Sequence, residues 1–170
     1  MEKTLALIDQ TIKEHEQIMT GIKASEGIAN DMAAILELER PVEGFVVGRL
    51  GDRRQNLKNL QKSIEKVDKA LGQHFEREEK AILAVFEKRS RSLALAFALL
   101  LEEHDDFRKR IRRAEEMAFE LLDSNLSREV WEGKAYGLRA HIRHTRKHLE
   151  AHATSEAELF RALRKELQKG

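Results

Sequence analysis

An all-α fold, arranged as an up-down-up-down antiparallel four-helix bundle, is what this sequence of 170 residues predicts, and three observations carry the prediction. Only one proline and nine glycines interrupt the chain, which disfavours many short strands joined by turns. Aromatic residues make up 5%, a low content for β-sheet. Apolar residues recur at alternating three- and four-residue steps, the spacing of a helix face turned to a core. With 41% apolar residues the chain can fill one core, and its length fits one domain over residues 1–170.

The first helix carries the stripe Leu5, Ile8, Ile12, His15, Met19 and Ile22, continued more weakly by Ala29, Ala33 and Leu36. Pro41, Gly44, Gly48 and Gly51 then predict a hinge from Arg40 to Asp52. Inside it, Phe45-Val46-Val47 is an apolar patch expected to cap the bundle end. The second helix runs Leu57, Leu60, Ile64, Val67, Leu71, His74, Glu78, Ala81 and Val85. The charged stretch Glu87-Lys88-Arg89-Ser90-Arg91-Ser92 ends it near residue 89. The third runs Leu93, Phe97, Leu100, His104, Phe107, Ile111, Ala114, Ala118 and Leu121. A turn from Asp123 to Glu129 follows, with Ser127 as the N-cap of the fourth helix. That helix runs Leu138, Ile142, Thr145, Leu149, His152, Glu156, Leu159 and Leu163. Trp131 and Tyr136, near its start, are expected to pack against the first hinge.

Composition removes several function classes. Lys+Arg is 31 against Asp+Glu 30, a net charge of +1, so no nucleic-acid partner is expected. The basic run Arg108-Lys109-Arg110-Ile111-Arg112-Arg113 is read as a solvated helix face, since acidic residues surround it. The absence of cysteine rules out disulfides, thiolate zinc sites and iron–sulfur clusters, so any metal must be held by nitrogen and oxygen. The longest apolar run, Leu93 to Leu101, is too short to span a bilayer. The first nine residues lack the apolar region of a signal peptide. A cytoplasmic protein with no membrane partner is expected.

The core rule fails in one place. Each of the four stripes is interrupted by a histidine: His15, His74, His104 and His152. Two stripes also carry a carboxylate one turn later, Glu78 and Glu156. An ionised carboxylate in a bundle core is costly unless it is paired or coordinates a metal. Register agrees with a common site. His74 and His104 each sit about fifteen residues from the turn near residue 89. His15 and His74 lie about 25 and 22 residues from the first hinge, and His104 and His152 about 21 and 27 from the turn near Asn125. All four can share one slab across an antiparallel bundle.

The chain also repeats weakly on itself. His15 then His74-Phe75-Glu76-Arg77-Glu78 is echoed by His104 then His152-Ala153-Thr154-Ser155-Glu156. The i,i+4 spacing puts His and Glu on one helix face. With seven histidines and 23 glutamates, chance supplies roughly one His-x-x-x-Glu, so a single copy means little. Two copies on apolar stripes, with two more stripe histidines in register, point to a metal site. Imidazole with carboxylate suits iron, with manganese or zinc as further candidates. Six convergent ligands including two carboxylates suit a two-metal centre. Ferritin-like bundles instead use Glu-x-x-His, which precedes none of the histidines here.

At this point the chain resembles the hemerythrin-like family, the HHE cation-binding domains. The resemblance covers nearly the whole chain. It rests on His15, on His74-Phe75-Glu76-Arg77-Glu78-Glu79, on His104, and on His152-Ala153-Thr154-Ser155-Glu156 followed by Leu159-Phe160. It implies a non-haem di-iron centre, oxo- or hydroxo-bridged, in which Glu78 and Glu156 bridge and His15, His74, His104 and His152 are terminal ligands. Oxygen-carrying members place a second His one turn after the first in helix three. Here that position is Arg108, which sets the chain apart from reversible carriers. His148 is a candidate seventh ligand from helix four. On a helical wheel with His152 at zero, His141 and His148 lie about 20° and 40° to one side, and His144 about 80°, at the surface. Glu79 is expected to support a ligand from outside, and Glu76 to face water.

The resemblance implies binding or sensing of oxygen, nitric oxide or redox state, or iron handling, without catalysis. The alternatives are a di-iron enzyme acting on peroxide or nitric oxide, and a structural bundle clamped by zinc or another metal.

Overall fold

The structure, a computed structural model, describes residues 2–39 and 48–169, with side-chain surroundings described for 2–32 and 54–169. The Pro41 break and Phe45-Val46-Val47 lie outside the described residues, as do the side chains of Ala33 and Leu36. The described residues are all-helical, without a strand. They form four long helical runs. Helix α1 is Glu2–Glu39. The second run joins α2 (Gly48–Arg77), a π-helical turn (Glu78–Ile82) and α3 (Leu83–Arg89). The third contains α4 (Arg91–Leu101) and α5 (Glu103–Glu120), and the fourth is α6 (Arg128–Gln168).

The boundaries follow local chemistry. Ser90 is extended, and its hydroxyl accepts from the Leu93 N–H to start α4. Ser127 does the same for α6 through the Val130 N–H, as the cap pattern predicts. Two boundaries differ from expectation. Helix α2 starts at Gly48, inside the predicted hinge, so Gly48 and Gly51 are helical. A helical glycine costs only about 1 kcal/mol against alanine, which a long helix absorbs. The third predicted helix is divided at Glu102, whose N–H bonds the Leu99 carbonyl in a tighter turn. Trp131 donates its indole N–H to the Leu121 carbonyl and thereby closes the turn between α5 and α6.

Helix α1 packs against α2 and α6, and α5 packs against the same two helices, while α3 and α4 pack together and against α6. The stripes meet in two apolar clusters. The larger joins Ile18, Ile22, Leu60, Ile64, Val67, Phe75, Phe107, Ile111, Leu138 and Ile142, with others, on α1, α2, α5 and α6. The smaller joins Ile8, Ile82, Phe86, Ala94, Phe97, Phe160, Leu163 and Leu167. Along the first, third and fourth runs the predicted histidine falls between the two clusters, and on the second His74 lies at the end of the larger one, beside Phe75. The basic run on α5 is a solvated face, with Lys109 on Asp105, Arg110 on Asp106 and Arg113 on Glu116. No helix among the described residues is long and apolar enough to cross a membrane.

The buried stripe on the second run differs from the predicted one below Glu78. Ile82 and Phe86 are buried there, where Ala81 and Val85 were expected. The π turn explains the change. The Leu83 N–H bonds the Glu78 carbonyl, five residues back, so one extra residue enters the turn and shifts the face that follows. Similar one-residue differences occur at Ile18, buried in place of Met19, and at Phe160, buried in place of Leu159.

Candidate metal centre

His15, His74, Glu78, His104, His152 and Glu156 come together in one polar layer between the two apolar clusters. Five of them are buried, and His15 is slightly exposed, with 14% of its side chain accessible. The i,i+4 spacing works as expected: His74 Nε2 lies 3.0 Å from Glu78 Oε1, and His152 Nε2 lies 3.2 Å from Glu156 Oε1.

The two carboxylates lie between two pairs of imidazoles. Glu78 turns Oε1 toward His15 (3.4 Å) and His74 (3.0 Å), and Oε2 toward His104 (3.3 Å). Glu156 turns Oε2 toward His15 (2.5 Å) and Oε1 toward His152 (3.2 Å). Two groups of ligand-competent atoms result. One is His15, His74, Glu78 and Glu156; the other is Glu78, His104, His152 and Glu156. Both glutamates belong to both groups.

The outer face of the layer fixes the protons. Glu14 lies 3.2 Å from His74 Nδ1, Glu79 lies 2.9 Å from His104 Nδ1, and Glu103 lies 2.9 Å from His152 Nδ1. A carboxylate accepts, so each of these rings donates from Nδ1 and turns Nε2 into the layer. On all four rings Nε2 faces the Glu78 and Glu156 oxygens across the layer. Nε2 of all four histidines and both oxygens of Glu78 and Glu156 are buried without a hydrogen bond of good geometry. They are eight of the nine such atoms among the described residues, the other being Nε of Arg164. Buried polar atoms are nearly always satisfied, and leaving one unpaired costs about 1–3 kcal/mol. A cation in each group would satisfy all eight together, so the residues fit a pair of metal ions.

The electrostatics point the same way. Burial raises the pKa of Glu78, but His104, His15 and His74 outweigh it and hold the carboxyl well below its usual range. Burial likewise disfavours a charged His15, yet Glu156 and Glu78 raise its pKa to about 10. The layer therefore favours positive charge beside Glu78, carried by protons when no metal is bound.

Other predicted residues are placed as follows. Glu79 supports His104 and also accepts from Arg108 Nη2 at 2.8 Å, while Arg108 sits over the Phe75 ring, 5.4 Å from its centroid. Glu76 is exposed and pairs with Lys80. His148 belongs to neither ligand group; it packs on Phe107 and lies 3.7 Å from Asp106 and 3.9 Å from Glu103. His141 bonds the Arg110 carbonyl, and His144 is exposed.

Sequence reasoning missed Glu14 and Glu103. Both lie off the apolar stripes, and each serves a ring on a different helical run. The signal was present all the same. Each sits immediately before a stripe histidine, as Glu14-His15 and Glu103-His104, so the internal repeat extends to them.

Comparison of the chain with family models, curated proteins and solved structures finds no match in any of the three.

Proposed function

We propose that the chain is a non-haem di-iron protein of hemerythrin-like type that binds or senses oxygen, nitric oxide or redox state, or handles iron. The observation that carries the reading is the set of eight buried ligand atoms, none in a hydrogen bond of good geometry, on His15, His74, Glu78, His104, His152 and Glu156. The division of each carboxylate between two imidazole groups favours two metals over one. A donor set of four imidazoles and two carboxylates suits iron, and manganese or zinc would also fit. An iron pair, when bound, supplies one-electron chemistry and an attachment point for a small ligand such as oxygen, nitric oxide or peroxide. The contacts of α1 and α5 with both α2 and α6, and the short turns at Ser90 and at residues 121–127, support an up-down-up-down antiparallel bundle.

The protein's own groups prepare the centre. Glu14, Glu79 and Glu103 orient three rings and raise their basicity as ligands. The buried rings of Phe75, Phe107 and Phe160 pack against the layer, on His104, His152 and His15 respectively. Arg108 is engaged by Glu79 and Phe75, so α5 supplies one ring only. That arrangement favours sensing or iron handling over reversible oxygen carriage.

Metal analysis tests the reading. Protein purified from iron-replete cells should hold about two irons per chain, with the visible absorption of a ferric pair. Folded protein that carries no metal, and does not respond to ferrous iron under air, contradicts it.

A further inference from the structure

Resting on that reading, we infer that the two metal positions are unequal, and that carboxylates outside the ligand set make them so. The position at His104 and His152 has both rings anchored through Nδ1, by Glu79 and Glu103. The position at His15 and His74 has one ring anchored, His74 by Glu14. His15 makes no Nδ1 hydrogen bond among the described residues, and it is the most exposed of the four rings at 14%.

The arginines do not offset this difference. Each position has one arginine drawing on one of its outer carboxylates: Arg77 on Glu14, and Arg108 on Glu79. What remains is one extra anchoring carboxylate on the His104 and His152 side.

The internal repeat shows where the fourth carboxylate is missing. Glu14 precedes His15 and anchors His74; Glu103 precedes His104 and anchors His152. Glu79 follows Glu78 and anchors His104, the stripe histidine of the other half. The counterpart that follows Glu156, and would serve His15, is Ala157. A single side chain thus breaks the symmetry of the site.

An anchoring partner on a ligating histidine is worth about 10- to 100-fold in metal affinity. The His104 and His152 position therefore loads first and holds its metal longest, while the His15 and His74 position is the exchangeable one. Glu14, Glu79 and Glu103 act as positioning residues.

Anaerobic titration of the metal-free full chain with Co(II), read by its absorption and by competition with a chelator, tests this. Two steps should appear, separated by about 10- to 100-fold. Glu103→Gln should weaken the tight step by about tenfold and leave the weak one, and Glu14→Gln should do the reverse. Ala157→Glu should tighten the weak step and bring the two together. Two equal steps in the wild-type chain, or loss of the weak step in Glu103→Gln, overturn the inference while leaving a two-metal site in place. Absence of any Co(II) binding overturns the metal-centre reading itself. Melting curves of each variant confirm that the chain is folded during the titration.

Discussion

The cluster of Phe86, Phe97 and Phe160 and the layer of four histidines and two glutamates are neighbours, joined where the Phe160 ring stacks on His15. They are held together by different physics. In the cluster, Phe86 and Phe97 stack at 4.5 Å and Phe160 lies against both, so every buried atom is apolar and satisfied by contact alone. In the layer, eight polar atoms are equally buried, and none makes a hydrogen bond of good geometry. The cluster is complete without a ligand. The layer is a cage of imidazole nitrogens and carboxylate oxygens, and its contribution to stability depends on the protons or metal ions that lie between them. A fold can carry such a costly layer because two full apolar clusters flank it.

The largest effect expected sharpens that contrast from the apolar side. Phe97→Ala should lower stability by about 3–5 kcal/mol, through lost burial and a cavity. The loss should be the same with and without metal, as measured by denaturant unfolding of both forms. A loss confined to the metal-loaded form would break the distinction between the regions.

Metal removal probes the other side. Binding at about a thousandfold excess over the dissociation constant contributes about 4 kcal/mol, or roughly 8–16 °C in melting temperature for a chain of this size. Chelation should lower the melting temperature by that order and ferrous iron should restore it. An unchanged melting temperature after verified metal removal would place the metal outside the core.

A smaller, pH-dependent effect follows from His15. Its pKa is raised to about 10 in the folded, metal-free chain, from the usual histidine value of 6.5 in an unfolded one. A raised pKa contributes stability that is full below about 6.5 and is lost as pH rises toward 10. Metal-free protein should therefore melt at progressively lower temperature across that window. Metal-loaded protein, whose His15 has given up that proton, should not follow. Parallel curves for the two forms would remove His15 from the ligand set.

The smallest effect concerns His148, which lies beside the layer but in neither ligand group. His148→Ala should leave metal stoichiometry unchanged and stability within about 0.5 kcal/mol. Loss of a metal equivalent in this variant would extend the polar layer by one ligand.

Much of this contrast was legible in the chain itself. The three- and four-residue stripes picked out most of the larger apolar cluster and Ile8, Phe97 and Leu163 of the smaller, and the polar interruptions at His15, His74, Glu78, His104, His152 and Glu156 marked the layer beside them. Periodicity reads one helix at a time, and there it stopped. The π turn at Glu78 is a backbone defect without a compositional mark, so the burial of Ile82 and Phe86 instead of Ala81 and Val85 was not visible. Glu14 and Glu103 were hidden because their partners, His74 and His152, lie on neighbouring runs. The division at Glu102 was hidden too, since the stripe runs through it unbroken.

The central claim is that these six side chains hold two metal ions between the apolar clusters. Diffraction from crystals of iron-loaded protein, recorded on both sides of the iron absorption edge, tests it most directly. The account predicts two anomalous peaks flanking the Glu78 and Glu156 carboxylates, one beside His15 and His74 and one beside His104 and His152. Iron peaks only at the surface, or none between the glutamates in fully loaded protein, would contradict it.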